Sequence, residues 1–169
     1  MQQDLNTITG DSESRLSLAE EARELVAANW RGVLSTLIPD EGAPFGSLVD
    51  LAPLPGGDVI MFLSTLAEHQ QYLAADPRAS IFIAPGFMEA DALAQARVTL
   101  VGRVTPVEDR DSMVDLYLAH HPKARRYITF PDFQFYRLRV EKVRFIAGFG
   151  RMGWISGDRY RAASLRAVQ

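Results

Sequence analysis

The chain has 169 residues, 47% of them hydrophobic and 23% charged, with a formal net charge of −3 and no cysteine. One domain of this length buries about 70% of its unfolded surface without covalent staples. The missing thiols exclude disulfides, Cys-ligated zinc, thiolate haem, iron–sulfur clusters and cysteine nucleophiles, and the mild negative charge points to neither nucleic acid nor an anionic membrane as partner.

The first fifteen residues are polar, with no basic n-region and no apolar h-region, so no targeting segment is expected. The longest wholly apolar run is Val59–Leu63, far below the ~20 residues of a spanning helix. These features lean toward a cytoplasmic protein. Residues 1–16 read as a tail, 17–156 as one domain and 157–169 as a C-terminal tail or short helix.

Ser17 and Glu20 form a capping-box pattern, followed by Leu18, Ala22, Leu25 and Val26 on one helical stripe, which predicts a helix over about 17–29. Strands follow at Val33–Ile38, Pro44–Pro53 and Val59–Leu63, separated by Pro39-Asp40-Glu41-Gly42 and Pro55-Gly56-Gly57-Asp58. Two consecutive strand–turn–strand steps mean an antiparallel meander. Thr65-Leu66-Ala67-Glu68 is a second capping-box pattern and opens a helix through Ala75, stopped by Asp76-Pro77.

A fourth strand spans Ser80–Ala84. A fifth, Arg97–Val107, places Val98, Leu100, Gly102 and Val104 on one face. Asp109–His120 is helical, with Met113, Leu116 and Tyr117 on one side. Phe133–Val140 and Val143–Phe149 read as two more strands with Glu141-Lys142 between them. About seven short strands and three helices describe a mainly β protein, a small barrel whose connections carry helices.

Gly148-Phe149-Gly150-Arg151-Met152-Gly153 satisfies G-x-G-x-x-G, but only sixteen residues follow it. No crossover helix and second parallel strand can fit there, so the dinucleotide reading is excluded in favour of a glycine-rich strand end. His69, His120 and His121 do not converge as a metal site, and the adjacent pair reads as solvated side chains at a helix end. No metal is expected, and no catalytic residue is assigned. The carboxylates of Glu20-Glu21 and Asp109/Asp111 and the Arg125-Arg126 pair read as surface groups. Ser64, Thr65 and His69 stand where a strand meets a helix N-terminus. That arrangement suits either a phosphate or an ordinary cap.

Read together, these segments resemble the pyridoxamine 5′-phosphate oxidase-like FMN-binding split-barrel superfamily, nearest its haem-utilisation (HugZ-like) branch. The resemblance covers about residues 20–156. It rests on Ala22-Arg23, Val33–Leu37, Phe45–Val49, Leu63–His69, Leu73–Ala79, Arg97–Arg103, Phe130–Phe133 and Gly148–Arg151 in that order. It implies a six-stranded antiparallel Greek-key split barrel that forms a homodimer with FMN between the subunits. Ser47, Leu48 and Val49 would meet the flavin edge, and Ser64, Thr65 and His69 the phosphate. Arg97 would come from the partner copy, and Trp154 would lie near the cofactor or the dimer seam.

The resemblance implies a flavin-dependent oxidoreductase acting on a small substrate. Its haem-utilising branch implies the alternative of a haem-binding protein, with His69, His120, His121, Tyr or Met as available ligands. A cofactor-free dimeric interaction module is the third reading. Two departures argue against oxidation of pyridoxamine phosphate. Glu68-His69 replaces the oxidases' Arg-Lys pair, and no Arg-x-His occurs. The haem-degrading relatives use a histidine near their C-terminus, and none follows His121 here.

Overall fold

A computed structural model describes residues 16–165 except Phe87 and Phe149. Seven strands form one antiparallel sheet: β1 (Arg31–Leu37), β2 (Pro44–Pro53), β3 (Val59–Ser64), β4 (Arg78–Ile83), β5 (Arg97–Pro106), β6 (Phe133–Gly148) and β7 (Arg151–Ser156). Their order is β3-β2-β1-β4-β5-β6-β7, and β6 also pairs with β3. That extra pairing closes β1–β6 into a six-stranded barrel. The return of β4 to the free side of β1 is a Greek-key step. The fold is therefore the mainly β, six-stranded barrel expected, with β7 added outside the closure.

Among the described residues, four α-helices accompany the sheet: α1 (Leu18–Ala27), α2 (Glu68–Ala75), α3 (Asp111–His120) and α4 (Gly157–Ala162). None is long and apolar enough to cross a membrane. The Ser17/Glu20 capping box forms as read, with Ser17 N–H donating to the Glu20 carboxylate at 2.8 Å. The buried face of α1 is Ala19, Ala22, Arg23 and Val26, with Leu18 and Leu25 at its margins.

Two apolar layers follow from the strand alternation. Val59, Met61 and Leu63 of β3 point into the barrel with Leu34, Ile81, Leu100 and Leu138. Ile60 and Phe62 point outward, where Tyr117 and Leu118 of α3 and Phe135 cover them. A strand buried on both faces needs an unbroken apolar run, which accounts for Val59–Leu63.

Two expectations are corrected here. The segments 133–140 and 143–149 are one sixteen-residue strand, β6. Glu141 is an extra residue inserted opposite Val101/Gly102, where the pairing moves from Lys142 to Val140. This is a bulge and not a turn. Gly148–Gly153 is mostly β7 and its hairpin turn, with Gly150 at φ +75. The segment from Gly157, read as a tail or a short helix, opens with the helix α4, which buries Tyr160 completely in the barrel core.

Asp58 ties the β2–β3 turn to β6. Its buried carboxylate accepts from Arg137 Nε at 2.7 Å and from the Val140 N–H at 2.9 Å. Asp58→Asn removes the charge at constant size and should destabilise the fold by about 2–3 kcal/mol. Urea unfolding reads this as a lower midpoint with unchanged slope; an unchanged midpoint would contradict it.

Candidate functional site

The β3–α2 junction does not form the expected capping box. The N-cap of α2 is Ala67, which supplies no side-chain bond, and the helix begins at Glu68. Thr65 is held elsewhere, its N–H donating to the Asp132 carbonyl at 2.7 Å. Ser64 Oγ donates to the Asp132 carboxylate at 3.0 Å and accepts from the Leu66 N–H at 3.2 Å. The strand–helix corner is thus locked to the loop before β6.

Beside this corner lies a cavity of about 350 Å³. β2 contributes Leu48, Val49 and Asp50; β3 contributes Phe62, Leu63 and Ser64; Ala67 and His69 come from the start of α2. Tyr117, Tyr127 and Phe133 complete the wall. The aromatic rings pack on one another: Phe62 stacks on Tyr127 with centroids 6.1 Å apart and meets Phe133 at 5.2 Å. Behind them the Arg110 guanidinium lies 5.1 Å from the Phe62 centroid and donates to the Phe133 and Ile128 carbonyls.

Four of the eight sequence-derived site residues, Leu48, Val49, Ser64 and His69, meet at this cavity. Thr65 is adjacent through its backbone. Ser47 lies on β2 opposite Leu34, its buried Oγ without a hydrogen bond among the described residues. Arg97 starts β5 and folds back on its own loop, donating to the Leu93 carbonyl at 2.8 Å and the Gln95 carbonyl at 3.1 Å. Trp154 stands on exposed β7 between Lys142 (5.3 Å) and Arg144 (6.0 Å). The chain brings neither Arg97 nor Trp154 to the cavity within one copy.

The histidines differ from their solvated reading. The His121 ring packs on Tyr117 at 4.7 Å, with Nε2 2.8 Å from the Leu51 carbonyl. His120 meets Trp30 edge-on at 5.0 Å. No group of three or more metal-binding side chains converges among the described residues.

The His69 side chain is half-buried and makes no hydrogen bond to any described residue. Burial lowers its pKa below 6.5. It is therefore a neutral imidazole at pH 7. The unfolded chain takes up this proton first. His69 accordingly contributes stability that is full above pH 6.5 and is lost as pH falls through the lowered folded value. Urea midpoints should drop between pH 7.5 and 5, and drop less in His69→Gln; equal slopes with pH in both proteins would rule this out. Desolvation also raises the phenol pKa values of Tyr117 and Tyr127, with the Asp50 charge adding to the effect on both.

Sequence reasoning missed Phe62, Tyr117, Tyr127 and Asp50 as cavity residues. Tyr117 was visible only as part of the apolar stripe of α3, which fits core packing equally well. Phe133 was visible in Phe130–Phe133, a segment with no chemistry of its own.

A closed Greek-key barrel with a helix-covered outer wall and a cavity at its β2–β3 face defines the split-barrel class. The chain belongs to the CREG beta-barrel family, which it matches over residues 13–162. It is 36% identical over 162 residues to the chloroplastic non-canonical haem oxygenase HOZ of Arabidopsis thaliana, covering 92% of this chain and 49% of that protein. It is 42% identical, with a TM-score of 0.82, to a haem-binding protein from Mycobacterium smegmatis, covering 89% of this chain and 62% of that one. The chain thus spans about half the length of the first and under two thirds of the second. A Clostridium acetobutylicum protein of the pyridoxinephosphate oxidase family, related to general stress protein 26, shares the fold alone. Its TM-score is 0.66 at 16% identity, with 85% of this chain and 96% of that one covered.

Proposed function

We propose that this chain is a haem-binding protein of the split-barrel class, with the macrocycle seated at the β2–β3 cavity and His69 facing the iron. The observation that carries the reading is His69 itself: a neutral imidazole, unbonded, at the edge of an apolar aromatic cavity. Neutral imidazole is the common axial ligand to haem iron. Aromatic and aliphatic walls suit a flat apolar ring. The names of two relatives, a haem-binding protein and a haem oxygenase, support the same reading. Bound haem would supply the redox and oxygen chemistry; this chain's residues hold the ring and exclude water around it.

The same corner suits a flavin phosphate poorly. The Ser64 hydroxyl already donates to the Asp132 carboxylate, and Glu68 stands in the first turn of α2. Two acids there oppose a group carrying about −1.5 to −2 charge.

A porphyrin is wider than this cavity, and the reading includes a second copy completing the seat. Leu48, 69% exposed at the cavity lip, continues into an apolar groove with Trp30, Val33 and Phe82. Haemin titration tests the proposal. A saturable Soret shift at one equivalent per chain or per dimer, with FMN failing to compete, is the expected result. Tight FMN binding without a defined haemin shift would reverse the assignment.

A further inference from the structure

A second cavity, of about 360 Å³, lies away from the β2–β3 site, between α1, the β2–β3 turn, α3 and α4. Two residues of its wall, Arg23 and Tyr160, carry buried donors that the fold leaves unmet. Arg23 of α1 is 5% exposed. Its Nη2 donates to the Pro55 carbonyl at 2.5 Å, and its Cζ lies 5.4 Å from the Tyr160 ring centroid. Its Nη1 has no hydrogen bond, and no carboxylate pairs with it among the described residues. Tyr160 of α4 is fully buried, and its hydroxyl likewise has no partner.

A buried guanidinium without a counter-charge, next to a phenol without an acceptor, is a costly pair to leave unsatisfied. The neighbouring carboxylate does not answer it, because Asp58 accepts from Arg137 and the Val140 N–H. Gly57 (φ +94) lets both side chains pack against the turn: a Cβ there would lie 2.5 Å from Arg23 Nη1 and 3.0 Å from Tyr160 Cε1. The remaining wall is mostly apolar, with Val26, Ala27, Leu54, Leu116 and Leu165.

We propose that this cavity binds a monocarboxylate with an apolar body, its carboxylate accepting from Arg23 Nη1 and the Tyr160 hydroxyl. Both unmet groups donate, so the missing partner is an acceptor, and the uncompensated guanidinium makes it an anion. One guanidinium nitrogen and one phenol match the two oxygens of a carboxylate. A phosphate would leave oxygens unpaired against aliphatic side chains. The site is independent of the haem reading, shares no residue with the β2–β3 cavity and stands if that reading fails.

Calorimetric titration of the full chain with octanoate and 3-phenylpropanoate tests it, with octan-1-ol and inorganic phosphate as controls. The expected result is saturable binding of at least one carboxylate, at least tenfold tighter than octanol or phosphate. The tighter of the two acids identifies an aliphatic or an aromatic body. Arg23→Gln also removes the bond to Pro55 and so risks the fold; Tyr160→Phe is therefore the deciding variant. It deletes only an unmet hydroxyl, so its melting temperature should not fall, while carboxylate affinity should drop at least fivefold. No saturable carboxylate binding, octanol or phosphate binding as tightly, or unchanged affinity in Tyr160→Phe would each overturn the proposal.

Discussion

Replacing His69 by alanine should weaken haemin binding by about 100-fold, ~2.7 kcal/mol, and remove the defined Soret shift. The loss is large because the other histidines are committed elsewhere. His121 holds the Leu51 carbonyl, and His120 packs on Trp30 outside the cavity. The fold should tolerate the change, since the His69 side chain makes no hydrogen bond to the described residues and its burial already penalises its charged form. Free imidazole added to the variant should restore the shift, which a purely structural loss would not allow. His120→Ala serves as the control and should bind haemin like the parent. A His69→Ala protein with parental affinity and spectrum would move the axial ligand to another residue.

That prediction depends on how the sequence positions the cavity, and only part of this was legible in advance. The boundaries of β2 were readable because prolines stand at both ends, where a missing N–H is tolerated. The inward face of β5 was readable because Val98, Leu100, Gly102 and Val104 alternate with residues that are all polar except Val101, and all four are buried. Leu48 and Val49 were reachable as site residues only through the family resemblance, whereas Ser64 and His69 also stood out at the junction of a strand and a helix N-terminus.

The rest depended on contacts that sequence pattern does not encode. Thr65-x-x-Glu68 has the right spacing for a capping box, yet Asp132, sixty-seven residues beyond Thr65, claims the backbone first. Tertiary pairing overrode a local signal. Glu141-Lys142 looked like a turn because both residues are polar; they are exposed because the strand bulges there. Tyr160 lay in an arginine-rich stretch with no apolar period, so its place in the core was invisible until α1 and the Gly57 turn were seen against it.

Gly102→Ala should destabilise the fold by about 3–5 kcal/mol, a large share of the ~5–15 kcal/mol typical of a domain. The reason is space. A Cβ at Gly102 would lie 1.9 Å from the Arg139 carbonyl oxygen, 2.9 Å from its carbon and 3.2 Å from the Glu141 nitrogen. All three are backbone atoms of β6, so no rotamer change relieves the contact, and the two strands must part. Gly46→Ala in β2 gives the contrast. Its Cβ would meet only Val33 Cγ1 at 3.5 Å, and stability should stay within about 1 kcal/mol of the parent. Urea midpoints for the two variants compare the same added methyl in two strands; equal midpoints would refute the steric argument. The position also links stability to the site. The bulge opposite Gly102 lies where β6 passes from β3, paired over Phe133–Leu138, to β7, paired from Lys142 onward. Forcing β5 and β6 apart there strains the β3–β6 closure that holds Phe62, Ser64 and Phe133 around one cavity. Gly102→Ala should therefore lose haemin affinity under conditions where it is still mostly folded, and Gly46→Ala should not.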